Sequence, residues 1–314
     1  MSRLRHSASG FLRLIQISGA NVAVITEGRI DRLFFGSLSK EALRTRHHIS
    51  LTIRSVRELP DMDIAGGKNA VRSYFEFLRR RASLTTRLGG KTSLIVFCLD
   101  KDLDDLTRRR IRSPHVIYTE LFDVESYLFK FGDLCTASSV ATSIDLGTIE
   151  RAIAPASEWL TRVTESWRDW VAICVFEITG SHVATGNYGR CPSPVHDSSG
   201  SVVPEKLARC LTNLQTRTGL PAVEFQQQWG KNCRRVARYY RRGLADKIFK
   251  GKWYSWLLLR DLKRLFADRD VDWSGLRDQL SNHLFHTLDF RTQWAAPLIE
   301  KFSSLFDREL PAPI

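Results

Sequence analysis

Hydrophobic and polar positions follow two different patterns along the chain. In the first part, short apolar runs alternate with stretches of helical spacing. Asn21 to Thr26 (N-V-A-V-I-T) is a β-branched apolar run of the kind expected for a strand buried on both faces. Arg29 to Leu38 then places Ile30, Leu33, Phe34 and Leu38 on one helical face. Ile49 to Val56 alternates apolar and polar residues, which predicts a second strand, and Gly66-Gly67-Lys68-Asn69 predicts a turn. Ala70 to Arg81 reads as an amphipathic helix through Val71, Tyr74, Phe75 and Leu78. Ser93 to Leu99 is the strongest buried strand and runs straight into Asp100. His115 to Tyr118 is a fourth short strand, and Val124 to Phe131 opens a helix. Strands alternating with helices predict an α/β fold, a mostly parallel sheet flanked by helices on both faces.

The pattern changes further on. Ile149 to Trp170 is helical in period, and Glu205–Thr218, Ala222–Arg242, Trp253–Ala267 and Trp273–Leu288 are predicted helices. Between them, residues 180–204 are rich in Gly, Ser and Pro and read as a long loop. The expected organisation is an α/β domain over residues 1–145 followed by a mainly helical region over 146–314. At the N-terminus, Arg3, Arg5, His6 and Arg13 fall in a stretch with no acid before Glu27. That composition loosely resembles a transit peptide, but the apolar run is short, so a basic helix from Ser9 to Gln16 is expected.

Composition narrows the function. With 43% hydrophobic residues the chain has the material for a core, which excludes a disordered protein. The six cysteines are scattered without a C-x-x-C pair, as in a cytoplasmic protein with reduced thiols, and no apolar run is long enough to cross a membrane. The formal charge is +13, shared by both halves, which favours a polyanionic partner such as nucleic acid. Lys231 to Lys252 concentrates that charge, with nine basic residues and one acid around Tyr239 and Tyr240. Arg234, Arg235, Arg238, Arg241 and Arg242 are candidate phosphate contacts, and the interleaved aromatics suit RNA or single strands over duplex DNA. A solvated helix face or a docking surface for an acidic partner would carry the same pattern.

Against this background Asp100, Asp102, Asp104 and Asp105 fall within six residues. Glu27 ends the first strand as Asp100 ends the third, and Glu27 and Asp31 stand one helical turn apart. If the Asp100–Asp104 run continues extended, its alternate carboxylates point the same way. Two carboxylates ~4 Å apart repel by about 4 kcal/mol at an effective dielectric near 20, a cost that a divalent cation removes. All-oxygen ligation suits Mg²⁺ or Mn²⁺ rather than zinc. Arg108, Arg109 and Arg110 follow the cluster and are candidates to hold a substrate phosphate. Glu27 and Asp31 equally suit the first turn of a helix, and Asp100 to Asp105 equally suit a solvated turn.

These elements resemble the toprim domain, in which a strand ending in glutamate is followed by a later strand ending in D-x-D. The corresponding runs are Val22 to Gly28 and Ile95 to Asp102. More narrowly, the chain is similar to the toprim-related family called domain of unknown function 4435, through five features in order. They are E-G-x-x-D (Glu27 to Asp31), G-G-K-N (Gly66 to Asn69), D-K-D-x-D (Asp100 to Asp104), Y-T-x-x-x-D-V-E-S-Y-L (Tyr118 to Leu128) and K-G-K-W (Lys250 to Trp253). Size and layout resemble the toprim effector subunits of PARIS anti-phage defence systems, which work with an ABC-type ATPase. The resemblance implies that Asp100 and Asp102 bind Mg²⁺ with Asp104 beside them. It makes Glu27 a metal ligand or general acid/base and gives Asp31 a second metal. Glu125 and Lys68 are further candidates. The implied activity is metal-assisted phosphodiester cleavage of RNA such as tRNA, by a toxic effector held inactive by its ATPase, with a homodimer in keeping with the family. The alternatives are a non-catalytic toprim module that binds nucleic acid or the ATPase, and a DNA-directed toprim enzyme.

Other motifs add nothing. Gly66-Gly67-Lys68 lacks Walker A spacing, and no G-x-S-x-G run is present. His283 and His286 stand one turn apart with no third ligand in sequence.

Overall fold

In a computed structural model, the structure describes residues 8–58, 67–153, 155–180 and 191–310. The chain forms two compact units, neither continuous in sequence. The first comprises Met1–Asp100, Ile111–Thr119 and Asp289–Ile314, and the second Lys101–Arg110 and Glu120–Leu288. The units therefore do not part at the single boundary expected at 145. The chain leaves the first unit at Asp100, touches it again at 111–119, and returns to it for the final helix.

The first unit is built from α1 (Ala8–Ile17), β1 (Val22–Thr26), α2 (Arg29–Ala42), β2 (Leu51–Ser55), α3 (Lys68–Arg80), β3 (Thr85–Leu88), β4 (Lys91–Leu99) and β5 (Val116–Tyr118). β1 lies between β2 and β4 and is parallel to both, with Val22 opposite Leu51 and Leu94. The nine-residue β4 serves two partners beyond β1: β3 pairs antiparallel with its first half and β5 parallel with its second. The sheet is α/β and mostly parallel, as expected, but has five strands rather than four.

Every residue of β1 is buried, because both faces of the sheet are covered. Ala23, Ile25, Ile95, Phe97 and Tyr118 share one core with Phe11 and Ile15 of α1 and with Val71, Tyr74, Phe75 and Leu78 of α3. Alternate strand residues point the other way, and α2 packs over β1 and β2. The last helix of the chain, a segment with no predicted element, packs against α2 and β5 over Ala296–Glu309. Just before it, Trp294 stacks on Phe34 of α2 with ring centroids 6.0 Å apart.

Among the described residues, the second unit is mainly helical. It contains α4 (Asp104–Thr107), α5 (Val124–Phe131), α6 (Leu134–Thr142), α7 (Leu146–Ile153), α8 (Ala156–Ser166), α9 (Arg168–Thr179), α10 (Pro204–Thr218), α11 (Ala222–Arg241), α12 (Lys252–Leu265) and α13 (Leu276–His286), which makes the last helix of the first unit α14. The helical C-terminal region is thus present, and the predicted stretch at 149–170 falls across three helices. Trp167, Trp253, Phe249 and Tyr254 form its aromatic centre. Of the expected loop, residues 181–190 lie outside the described set. Residues 191–203 are irregular, with one bridge between His196 and Val202. Arg3, Arg5, His6 and Gly66 also lie outside it, while α1 matches the helix expected at Ser9 to Gln16. All six cysteines are free thiols. Among the described residues no helix is long and apolar enough to cross a membrane.

Candidate active site

The strand order defines where chemistry can sit in the first unit. From β1 the chain crosses through α2 to β2 on one side, then returns through α3 to β4 on the other. The carboxyl ends of β1 and β4 therefore flank a topological switch point, the crevice where open α/β sheets bind ligands. The register pairs Ile25 with Phe97, so the residues that follow, Glu27 and Asp100, emerge at the same edge.

They meet there. Glu27 Oε1 accepts the backbone N–H of Asp100 at 3.1 Å. Lys68, the first residue of α3, donates from Nζ to the Asp100 carbonyl at 2.5 Å, and its ammonium lies 5.8 Å from the Tyr118 ring centroid. Gly67 holds the left-handed φ of +80° that lets the chain turn into α3, and a Cβ there would lie 3.9 Å from Glu27 Oε2. Thr119 N–H donates to the Leu99 carbonyl, tying the end of β5 to the end of β4. Four of the sequence motifs thus contribute to one edge of one unit: Glu27, Gly67-Lys68, Asp100 and Tyr118-Thr119. Among the described residues of the G-G-K-N segment, Gly67 lies in the bend and Lys68 and Asn69 already belong to α3.

Asp31 stands in the first turn of α2, 8% exposed, with its carboxylate over Gly28, where a Cβ would come within 2.9 Å of Oδ2. An acid at that position is favoured by the helix dipole. Its charge also reaches the end of β4: burial pushes the Cys98 thiol well up, and the Asp31 carboxylate adds to the rise.

Asp102 and Asp104 belong to the second unit. The run after Asp100 does not continue extended as expected, because Asp102 takes a left-handed φ of +48° and α4 begins at Asp104. Asp102 N–H donates to the Phe122 carbonyl at 2.7 Å. Asp104 is buried, and its carbonyl accepts from Arg109 N–H at 3.0 Å. Asp105 pairs with Arg110 at 3.2 Å, and Arg108 caps α4 at a φ of +56°.

The last two motifs join one another in the second unit. Asp123 caps α5 by accepting from Ser126 N–H at 3.0 Å and Ser126 Oγ at 2.7 Å. The same carboxylate accepts from Gly251 N–H at 3.1 Å. Burial pushes its carboxyl up from the ordinary value, against the opposing pull of Lys252 and the Ser126 bonds. Glu125 is buried, with Lys252 Nζ 3.6 Å from its Oε1. Its charge is engaged by the K-G-K-W segment.

The basic stretch divides. Arg235, Arg238 and Arg242 line a cavity of about 400 Å³ with Tyr239, Lys101 and Lys247, while Arg234, Arg241 and Arg108 to Arg110 do not. Lys101 was not singled out by sequence reasoning, although it sits inside D-K-D. It is 5% exposed, donates from Nζ to the Glu120 carbonyl at 2.9 Å, and is pulled down to about 8 by burial.

Among the described residues, no group of three or more His, Cys, Asp or Glu side chains is arranged to hold a metal ion. Glu27 and Asp100 nonetheless bring carboxylate residues to the switch point, and Mg²⁺ is commonly held by one or two carboxylates, its remaining positions filled by water and substrate phosphate. Glu27 and Asp100 fit that description. No protein-family model matches the chain, and a search of curated proteins returned no match.

Proposed function

We propose that the chain is a Mg²⁺- or Mn²⁺-dependent nuclease whose reacting centre lies at the carboxyl ends of β1 and β4. The observation that carries this reading is the bond between Glu27 and the Asp100 backbone at the switch point of a parallel sheet. Glu27 and Asp100 would hold the cation, with Asp31 in the same unit. When bound, the cation would supply a nucleophilic hydroxide and charge stabilisation at phosphorus. Glu27 Oε1 holds the end of β4 in place, and its carboxylate brings negative charge to that edge. Lys68 brings a positive charge to the same edge, where it offsets the carboxylates and can meet a substrate phosphate. RNA as substrate, the role of toxic effector in anti-phage defence and control by an ABC-type ATPase rest on the resemblance.

A second reading is favoured by the same bond. A glutamate that ties two strand ends, with an aspartate serving the first turn of a helix, also suits a non-catalytic module. Purified protein incubated with total RNA or plasmid, with Mg²⁺ and with chelator, separates the two. The nuclease reading expects cleavage of RNA that needs the cation and is lost in Glu27→Gln. Absence of cleavage, or equal cleavage by the variant, removes it; cleavage of plasmid alone moves the substrate to DNA.

A further inference from the structure

The cavity in the second unit is a separate site. It is lined by Lys101, α4, α11 and the turn after α11 and holds about 400 Å³, within the ~300–1,000 Å³ range of small-ligand pockets. Arg235, Arg238, Tyr239 and Arg242 recur at the spacing that puts residues on one helical face, so α11 and Arg242, which caps it, bring three guanidinium groups and one phenol ring to the same cavity. Lys247 and the buried Lys101 complete the wall, and Asp105 is the one acid that lines it. Five cations against one carboxylate repel one another, and a bound anion relieves that repulsion.

The chemistry of the wall selects the anion. Guanidinium forks match phosphate oxygens two at a time, with more directional strength than an ammonium offers. An aromatic ring between such forks accepts a base by stacking, which a simple carboxylate ligand would leave unused. We propose that this cavity binds a nucleotide, with phosphates on Arg235, Arg238, Arg242 and Lys247 and the base on Tyr239. A free nucleotide and the end of an RNA strand share that chemistry. Binding needs neither the cation nor cleavage, so it stands or falls apart from the nuclease reading.

The test is calorimetric titration of the full chain in chelator with three probes: ADP, pyrophosphate and an adenosine pentanucleotide RNA. Saturable binding is expected, weakened at least about tenfold in Arg235→Glu/Arg238→Glu. Arg264→Glu/Arg269→Glu makes the same charge change on exposed positions of the second unit outside the cavity, and should stay within about twofold of wild type. Tyr239→Ala should weaken ADP but leave pyrophosphate unchanged. Circular dichroism confirms that each variant is folded; the four arginines are exposed, so their replacement removes no core packing. Tighter binding of ADP names the free nucleotide as the source, and tighter binding of the pentanucleotide names the strand. Equal losses in the two double variants, or no saturable binding of any probe, would overturn the proposal.

Discussion

The carboxylate of Glu27 accepts the backbone N–H of Asp100 at 3.1 Å, joining residues 73 apart in sequence at the ends of adjacent parallel strands. A side chain that holds the neighbouring strand end in place fixes the position of its own second oxygen. Glu27 therefore carries two separable properties, an acceptor oxygen and a negative charge.

Two substitutions divide them. Glu27→Gln keeps an acceptor for the Asp100 N–H and removes the charge; Glu27→Ala removes both. Leaving that partly buried N–H without its partner should lower stability by about 1–3 kcal/mol in the alanine variant and by clearly less in the glutamine variant. Cleavage should disappear from both. Denaturant melts and a cleavage assay on the same preparations read this out; equal destabilisation by the two would show that charge, not the bond, holds the strand ends.

Gly251 has a different role from a turn glycine. Its φ of −57° is open to any residue, yet a Cβ there would collide with Asp123 Oδ1 and the Ser126 backbone nitrogen. Glycine is required because the K-G-K-W segment runs against the capped start of α5. Gly251→Ala should destabilise the second unit by about 2–4 kcal/mol through overpacking and loss of the cap. A guanidinium melt checks it, and a change under about 0.5 kcal/mol would mean that the two segments separate readily.

His196 makes the second unit sensitive to acid. Its Nε2 lies 2.9 Å from the Ser166 carbonyl, its ring stacks on Trp167, and its buried Nδ1 has no partner. The Nε2–H tautomer fits this setting, and a second proton on Nδ1 would be buried unpaired. Burial accordingly holds the group below its ordinary value of 6.5, the Ser166 bond opposing. A depressed histidine means the unfolded state binds more protons, so its contribution is complete above pH ~6.5 and is lost as pH falls toward the folded value. Wild type should lose more stability than His196→Gln between pH 7.5 and 5.5, measured by thermal melts; identical slopes would refute the assignment.

Where the sequence was legible, one physical signal dominated. β1 and β4 are uniformly apolar because both sheet faces are covered, and their positions were readable to within two residues at the start of β4. β3 was missed because its T-T-R-L run is mostly polar at a sheet edge, although the Gly89-Gly90 pair that follows has positive φ at both residues and is a hairpin signal. α14 carries ordinary helical spacing in a segment given no element. That Glu27 and Asp100 share an edge was legible, since both end buried strands. That Asp102 turns left-handed was not, because Asp visits that conformation only occasionally and nothing in the run marks which Asp does so. Lys101 was hidden for a related reason: within D-K-D it reads as a spacer, and only burial marks it.

Cation binding at the strand ends can be tested without turnover. A ligand that binds only the native state stabilises it by RT ln(1 + [L]/Kd), so Mg²⁺ at ten times its Kd contributes about 1.4 kcal/mol, a few degrees in melting midpoint. Wild type should therefore melt progressively higher as MgCl₂ is raised at constant ionic strength, and Mn²⁺ should act at lower concentration, following the usual order of divalent affinities. Asp100→Asn removes a carboxylate charge but leaves the backbone N–H that Glu27 holds and the carbonyl that Lys68 holds, because both are main-chain groups. Whatever its midpoint without cation, the rise with Mg²⁺ should disappear. A variant that keeps the full rise would place the cation elsewhere on the chain, and a wild type with no rise at any concentration would leave Glu27 as a structural tie between β1 and β4.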